Sequence, residues 1–145
     1  MSLSLRPATP ADLPFLLALR RQTMTPYLQA AGMPCDEASH LARIQYHFEA
    51  ARIVHWQGQP VGLFKAVWLA EPQYWYLIQI QLAPQAQGQG LGARLIGDLL
   101  HQAAGQRVVL SVIHSNPARH LYQRLGFVPF AEDDKELWLE NRPAG

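Results

Sequence analysis

Hydrophobic residues follow two different periods along this chain, and the changes of period mark the predicted elements. Helical spacing predicts a helix from Thr9-Pro10 to about Ala30, a second with Leu41, Ile44 and Phe48, a third over 91–104 and a short fourth after Asn116. Runs rich in β-branched and aromatic residues predict strands at 3–6, 51–57, 61–69, 75–82, 107–114, 127–130 and 137–140. This order predicts an α/β fold in which helices cover both faces of one mixed β-sheet.

A glycine-rich segment, Gln87-Gly88-Gln89-Gly90-Leu91-Gly92, joins the strand that ends at Leu82 to the helix that starts at Leu91. Glycines let the backbone come close to a ligand, and a side chain at any of the three would block that approach. The first amides of a helix lack intrahelical partners, and the helix dipole adds positive charge there. The segment is therefore typical of a cradle for a phosphate or pyrophosphate.

Other glycine motifs do not fit this segment. No Gly-Lys-Ser/Thr follows, so it is not a Walker loop, and the spacing is GxGxG rather than the dinucleotide fingerprint GxGxxG. A turn that only lets a helix pack on a sheet remains the alternative.

A second motif spans residues 116–127. Asn116 is a good N-cap, Pro117 fits the first helical position, and Gly126 fits just past the end. One face of the predicted helix carries residues at i, i+3, i+4 and i+7: Ala118, Leu121, Tyr122 and Leu125.

Together, the two motifs resemble the signature of the GNAT superfamily of acyl-CoA-dependent N-acyltransferases. That signature is Gln/Arg-x-x-Gly-x-Gly/Ala followed by Asn-x-x-Ala/Ser-x-x-Leu-Tyr-x-x-x-Gly-Phe, and the corresponding segments here are 87–92 and 116–127. The order of predicted elements also agrees with GNAT proteins, so the resemblance covers one domain over residues 1–145. It implies a mixed sheet whose two central strands splay apart.

The resemblance implies acetyl-CoA as the acyl-donor substrate. The pantetheine arm would add itself to the backbone of Ile80 and Leu82, and Tyr122 would be the general acid for the CoA sulfur; a tyrosine packed in the core is the alternative. Asn116 would contact the cofactor as well as cap its helix. The residues expected at the pyrophosphate are Gln87, Gly88, Gln89, Gly90, Leu91, Gly92 and Ala93.

The general base is where the chain departs from the superfamily. Many GNAT enzymes have a glutamate in the central strand, and Gln79 aligns with it here. An amide cannot accept a proton near neutral pH, although it can orient a water or an amine. The other candidates for the base are Tyr27, Asp36, Glu37, His47 and His114; a capping or solvent-facing role is the alternative for His114.

Composition excludes several classes of protein. The 145 residues are 49% hydrophobic and 16% charged, with a net charge of +1, so we expect a globular domain with no nucleic-acid partner. No apolar run approaches the ~20 residues that span a bilayer, and no signal peptide is evident. Cys35 is the only cysteine, which indicates a reducing cytoplasm. His40 and His47 are seven residues apart on one predicted helix, too far to chelate one metal ion, so no metal is expected.

We therefore expect a cytoplasmic N-acetyltransferase, a monomer or homodimer, that acts on a primary amine of a small-molecule or peptide acceptor. Residues 27–47 and the aromatic residues near the 68–76 hairpin are the candidate acceptor region; sheet packing or a dimer interface is the alternative for the aromatics. A non-catalytic acyl-CoA-binding or regulatory module on the same fold is the rival function, because Gln79 replaces the carboxylate.

Overall fold

The computed structural model describes residues 2–142, and it contains the predicted elements in the predicted order. Short 3-10 turns lie at Pro10–Asp12, Phe48–Ala50 and Pro84–Ala86. The four helices are α1 (Leu13–Ala30), α2 (Glu37–Gln45), α3 (Leu91–Ala103) and α4 (Ala118–Arg124). The strands are β1 (Leu3–Pro7), β2 (Ala51–Trp56), β3 (Gln59–Leu69), β4 (Tyr74–Leu82), β5 (Val108–Ile113), β6 (Val128–Glu132) and β7 (Glu136–Asn141).

The seven strands form one mixed sheet in the order β1-β2-β3-β4-β5-β7-β6. β4 and β5 are parallel, paired at Trp75–Val108 and Tyr76–Val109, whereas β1 with β2, β2 with β3, and β7 with both β5 and β6 are antiparallel. This architecture confirms the predicted α/β class with a mixed sheet. The splaying of the central strands and the placement of helices on both faces stay predictions.

The chain divides into two compact units. The first contains the described residues up to Lys65 together with Gln79–Leu91, and the second contains Ala66–Ile78 with the described residues from Gly92 onward. The single domain expected over 1–145 stays a prediction, and its two ends lie outside the described residues.

The core of the first unit lies between α1, α2 and the strands. Leu16 and Leu19 of α1 and Ile44 of α2 pack with Ile53, Leu63 and Ala83 of the sheet side, all 6% exposed or less. Because Leu63 of β3 belongs to this cluster and Ala83 directly follows β4, residues two positions away on these strands face the same helices.

The helix boundaries confirm most of the predicted signals. The Asp12 carboxylate accepts a hydrogen bond from the Thr9 N–H at 2.8 Å, which fixes the chain just before α1. At the end of α4, the Phe127 N–H donates to the Tyr122 carbonyl and the Gly126 N–H to the Gln123 carbonyl. This is a Schellman motif, and it requires the left-handed φ of 98° that Gly126 adopts.

The predicted extent of the second helix is wrong at its end. Phe48 was placed on the helix with Ile44, but α2 ends at Gln45 and Phe48 begins a 3-10 turn. Tyr46, with φ −59° and ψ 117°, leaves the helical conformation, and His47 follows in a left-handed conformation with φ 52° and ψ 46°. Phe48 nevertheless packs against the core of the first unit. Its apolar character therefore predicts burial correctly, although the residue does not belong to the helix.

Candidate active site

The glycine loop before α3 offers main-chain amides in open space. Gly88 and Gly90 have φ values of 75° and 76°, and a Cβ placed on either would meet nothing within 4 Å. Among residues 2–142, no carbonyl accepts a hydrogen bond from the N–H groups of Gly88, Gln89 or Gly90. The loop therefore has the free donors and the room that an anionic group needs beside the N-terminus of a helix.

Two residues of the loop, Gln87 and Gly92, have structural contacts within the protein. The Gln87 N–H donates to the Pro84 carbonyl at 3.2 Å, so this amide is already used. Its side chain donates to the Leu82 carbonyl at 2.9 Å and so ties the loop to the end of β4. A Cβ on Gly92 would lie 3.2 Å from Cδ2 of Leu121, so this glycine permits close packing between α3 and α4, and its contact with a cofactor stays a prediction.

β4 buries its glutamines more deeply than the neighbouring apolar residues expected at the cofactor. Gln79 and Gln81 are 4% and 6% exposed, whereas Ile80 and Leu82 are only half-buried. Both amide atoms of Gln79, and Oε1 of Gln81, have no hydrogen-bond partner among the described residues. Such a group costs about 1–3 kcal/mol when left unsatisfied, so the two amides hold unused hydrogen-bonding capacity inside the first unit.

Tyr122 lies on the buried face of α4 and is 7% exposed. Its ring contacts Phe127 edge-on, with 6.2 Å between centroids. Burial raises the pKa of the Tyr122 phenol to about 12, so the hydroxyl keeps its proton throughout the neutral range. The side chain is therefore a core residue whose phenol stays protonated at neutral pH, and its role as the general acid stays a prediction.

Asn116 Oδ1 accepts a hydrogen bond from the Ala118 N–H at 3.0 Å and so satisfies the first amide of α4, although α4 begins at Ala118 and Pro117, not Asn116, occupies its N-cap position. Its position in the motif needs a correction. The signature asparagine precedes the tyrosine by seven residues, whereas Asn116 precedes Tyr122 by six, so Ser115 stands at the matching position. The hydrogen bond from Ala118 accounts for Asn116 without any contact to a cofactor, and that contact stays a prediction.

The other candidate bases are mostly engaged elsewhere. His114 Nε2 lies 2.8 Å from the Asp133 carbonyl and 3.6 Å from the Glu132 carboxylate. His47 Nδ1 lies 3.0 Å from the Glu49 carboxylate, and the hydrogen bond lowers the pKa of Glu49. Asp36 caps α2 through Ser39, and Glu37 pairs with Arg21. Tyr27 is half-buried on α1.

Sequence reasoning missed three buried polar residues in the first unit, which we call the buried polar cluster: Arg20, His40 and Lys65. Arg20 Nε donates to His40 Nδ1 at 3.0 Å, and the two side chains are 8% and 1% exposed. Burial, with a contribution from Arg43, lowers the pKa of Arg20 to about 10. No motif marks these residues, which belong to α1, α2 and β3 and meet only in the fold.

Lys65 is fully buried and binds the C-terminal end of α2. Its Nζ donates to the carbonyls of Ile44 at 2.7 Å, Tyr46 at 2.5 Å and Arg43 at 3.2 Å. Three acceptors match the three donors of an ammonium, and positive charge is favourable at a helix C-terminus. Burial, with Arg43 and Arg20, nevertheless lowers the pKa of Lys65 to about 7.

The aromatic residues near the β3–β4 hairpin pack in pairs within the second unit. Trp68 and Trp75 contact edge-on with centroids 6.0 Å apart, and Tyr76 lies beside Trp138 at 6.2 Å. An open cavity of about 530 Å³ lies next to Trp68 and is also lined by Pro72, Gln73, Gly105, Gln106, Arg107 and Arg142. Packing explains these aromatic contacts, and an acceptor or dimer role for them stays a prediction.

Among residues 2–142, no group of three or more His, Cys, Asp or Glu side chains could hold a metal ion. None of the helices in the described part of the chain combines the length and apolar character needed to cross a membrane.

Comparison with known proteins identifies the class. The family model for GNAT acetyltransferases matches residues 16–127, which is most of the chain. This protein therefore belongs to the GNAT acetyltransferase family, as the two motifs predicted. Acetyl-CoA is the donor typical of that family, and GNAT acetyltransferases act on amine acceptors, so the expected donor is confirmed for the family.

Solved structures of similar fold support the architecture. One is a "histone acetyltransferase HPA2 and related acetyltransferase" from Corynebacterium glutamicum, with 23% identity, coverage of 100% of this chain and 98% of that one, and a TM-score of 0.75. Another is the PaiA N-acetyltransferase of Thermoplasma acidophilum in complex with coenzyme A, with 18% identity, coverage of 98% and 99%, and a TM-score of 0.72.

A third similar structure is longer than this chain. It is N-acetylglutamate synthase of Neisseria gonorrhoeae in complex with coenzyme A and N-acetyl-glutamate, with 20% identity and a TM-score of 0.73. The match covers all of this chain but only 36% of that protein. At these identities the three structures establish the fold alone.

Proposed function

We propose that this protein transfers the acetyl group of acetyl-CoA to a primary amine of an acceptor. The observation that carries the proposal is the loop at Gly88 and Gly90, whose amides are unengaged and whose glycines leave open space. A pyrophosphate fits there because N–H donors and the N-terminus of α3 favour negative charge. Gly88, Gln89, Gly90 and the first residues of α3 would bind it, and the backbone of Ile80 and Leu82 would bind the pantetheine arm.

Transfer requires the neutral amine nitrogen to attack the thioester carbon and to lose a proton to solvent, the C–S bond to break, and the departing thiolate to gain a proton. Tyr122 supplies that proton in this proposal, since its raised pKa keeps the phenol protonated and its hydroxyl hydrogen-bonds to no described residue. Gln79 orients the amine or a water, because its amide has two unsatisfied atoms and cannot act as a base. Both amide atoms are inaccessible in this conformation, so this role requires the side chain to turn.

The rival function is acyl-CoA binding without catalysis. The specific observation in its favour is Gln79, a buried amide where a carboxylate base would be expected. The deciding experiment is a screen of amines with acetyl-CoA and detection of the free thiol of CoA. Release of CoA that depends on an amine supports transfer, whereas tight binding of acetyl-CoA with no release across the library supports the rival.

The Tyr122→Phe variant tests the general acid. The phenylalanine keeps the ring and its contact with Phe127 but removes the proton, so we expect kcat to fall about 10²-fold with little change in KM for acetyl-CoA. The melting temperature of the variant, measured beside that of wild type, controls for a loss of packing. If Tyr122→Phe turns over at the wild-type rate, Tyr122 is not the general acid and has only a packing role.

The pH profile of kcat/KM tests the roles of Gln79 and His114. An amide does not titrate, so Gln79→Ala should lower the rate about tenfold or less and leave the rising limb in place. Gln79→Glu should add an ionisation to that limb. Loss of the limb in His114→Ala alone would make His114 the base, and its loss in Gln79→Ala would contradict our assignment.

A further inference from the structure

The guanidinium of Arg20 is an unusual feature of the first unit. Its side chain is more than nine-tenths buried between α1 and α2, and it has no carboxylate within ion-pair range among residues 2–142. Buried charges are normally paired, because removing an ion from water costs several kcal/mol. A charge buried without a counter-ion therefore suggests that one is supplied from outside.

His40 does not provide the missing negative charge. An arginine can only donate, so the contact from Arg20 Nε makes His40 Nδ1 an acceptor and places the imidazole proton on Nε2, which faces Thr25 Oγ1 at 3.4 Å. The imidazole is thus neutral, and burial together with Arg20 and Arg21 lowers the pKa of His40. The contact uses one of the five N–H donors of Arg20.

The surrounding charges make the imbalance larger. Arg43 and Lys65 lie close enough to Arg20 for electrostatic interaction; Arg43 is a cation, and Lys65, whose pKa is about 7, adds a positive charge below that pH. The acid that interacts with Lys65 is Glu49, which is exposed and hydrogen-bonded to His47. Lys65 already donates to three carbonyls, so Arg20 is the cation of the buried polar cluster with donors left to offer.

The location connects Arg20 to the acceptor. Arg20 lies one turn after Leu16 on α1, and Leu16 packs in the same cluster as Ala83 at the end of β4. Gln81 precedes Ala83 by two residues, so the strand's alternation directs its amide to the same helix-covered face. The unsatisfied amides of β4 and the unpaired guanidinium of α1 therefore belong to one layer of the first unit.

We propose that Arg20 binds a carboxylate of the acceptor, so that the acceptor is an amino acid or a similar small aminocarboxylate. The planar guanidinium matches a carboxylate in a bidentate arrangement, and one monoanion would neutralise the buried cation. This inference rests on the proposed transfer to an amine, but binding can be measured without turnover.

The test is calorimetric titration of the protein, with CoA present, using the common L-amino acids, their carboxamides and their decarboxylated amines as probes. We expect at least one amino acid to bind about tenfold or more tightly than both of its neutral-end counterparts. Arg20→Met should abolish this preference, Arg20→Lys should retain part of it, and Arg124→Met, at an exposed arginine of α4, should leave it unchanged. Titration of O-phosphoethanolamine, which carries a phosphate in place of the carboxylate, shows whether Arg20 binds a phosphate in preference to a carboxylate.

The melting temperature separates binding from a structural role. Removing an unpaired buried charge relieves repulsion, so Arg20→Met should melt at or above the wild-type temperature. A lower melting temperature together with an unchanged preference for carboxylates would overturn the proposal, as would equal binding of amino acids and decarboxylated amines, or no binding of either. A carboxylate preference without release of CoA would support this inference and contradict transfer.

Discussion

The glycine loop and the buried polar cluster belong to the same compact unit but present polar groups in contrasting ways. Gly88 and Gly90 expose main-chain amides to open space, and these amides need no particular side chain. Arg20, His40 and Lys65 are side chains enclosed by helices and sheet. An exposed N–H group costs little free energy without a ligand, because water accepts its hydrogen bond. An enclosed charge, in contrast, destabilises the fold until it has a partner. The loop is therefore suited to a common donor substrate, and the cluster to selecting the acceptor.

Replacing Gly90 by valine should break the first half of this comparison. A β-branched side chain at φ 76° is strained and projects into the open space, so we expect affinity for acetyl-CoA to fall about 10²-fold or more. The measurement is calorimetric titration of acetyl-CoA into the folded variant.

Gly58→Val is the matched control for that experiment. Gly58 has φ 78° and equally open surroundings, but it lies in the β2–β3 turn. Both variants should lose similar stability, and only Gly90→Val should lose affinity. Equal affinities in the two folded variants would show that acetyl-CoA does not use the loop.

The same contrast explains which parts of the molecule could be predicted from the sequence. The loop and the end of α4 follow from glycines whose positive φ is needed locally, and the elements follow from apolar periodicity. The buried polar cluster could not be predicted, because Lys65 meets the end of α2 some twenty residues earlier in the chain. The alternation of side chains along β4 predicts that Gln79 and Ile80 lie on opposite faces of the sheet. Only the packing of the helices, however, decides which of these faces is more buried.

Replacing Lys65 by methionine should break the second half of the comparison. The three carbonyls at the end of α2 would lose their donor, so the free energy of unfolding should fall by about 2 kcal/mol. Lys135→Met is the control, since Lys135 is 42% exposed and its replacement should change stability by less than about 0.5 kcal/mol. Chemical denaturation of both variants measures the difference. Equal stabilities of Lys65→Met and Lys135→Met would show that the hydrogen bonds from Lys65 to the end of α2 do not stabilise the fold.

The pH dependence of the Lys65 effect has a defined sign. The pKa of Lys65 is about 7 in the folded protein, against about 10.4 in an unfolded chain. Between these values the unfolded state binds the extra proton, so folding becomes more favourable as pH rises from about 7 to about 10. The stability difference between wild type and Lys65→Met should therefore grow across that window. A constant difference would mean that the carbonyls keep the ammonium charged.

The smallest expected effect concerns Gln79. Its side chain is buried like those of the buried polar cluster, but its amide lacks a partner among the described residues, as the amides of the glycine loop do. Without a substrate, the Gln79 amide has no hydrogen-bond partner among the described residues. Replacing Gln79 by leucine removes this unsatisfied group, so the free energy of unfolding should rise by about 1 kcal/mol. Acetyl transfer should fall in the same variant, since stability and activity trade against each other at such a site. Gln85→Leu, in the exposed turn before the loop, should change neither quantity. A loss of stability in Gln79→Leu would instead show that the amide already has a partner in the folded protein, and its role in orienting the amine would then have no structural basis.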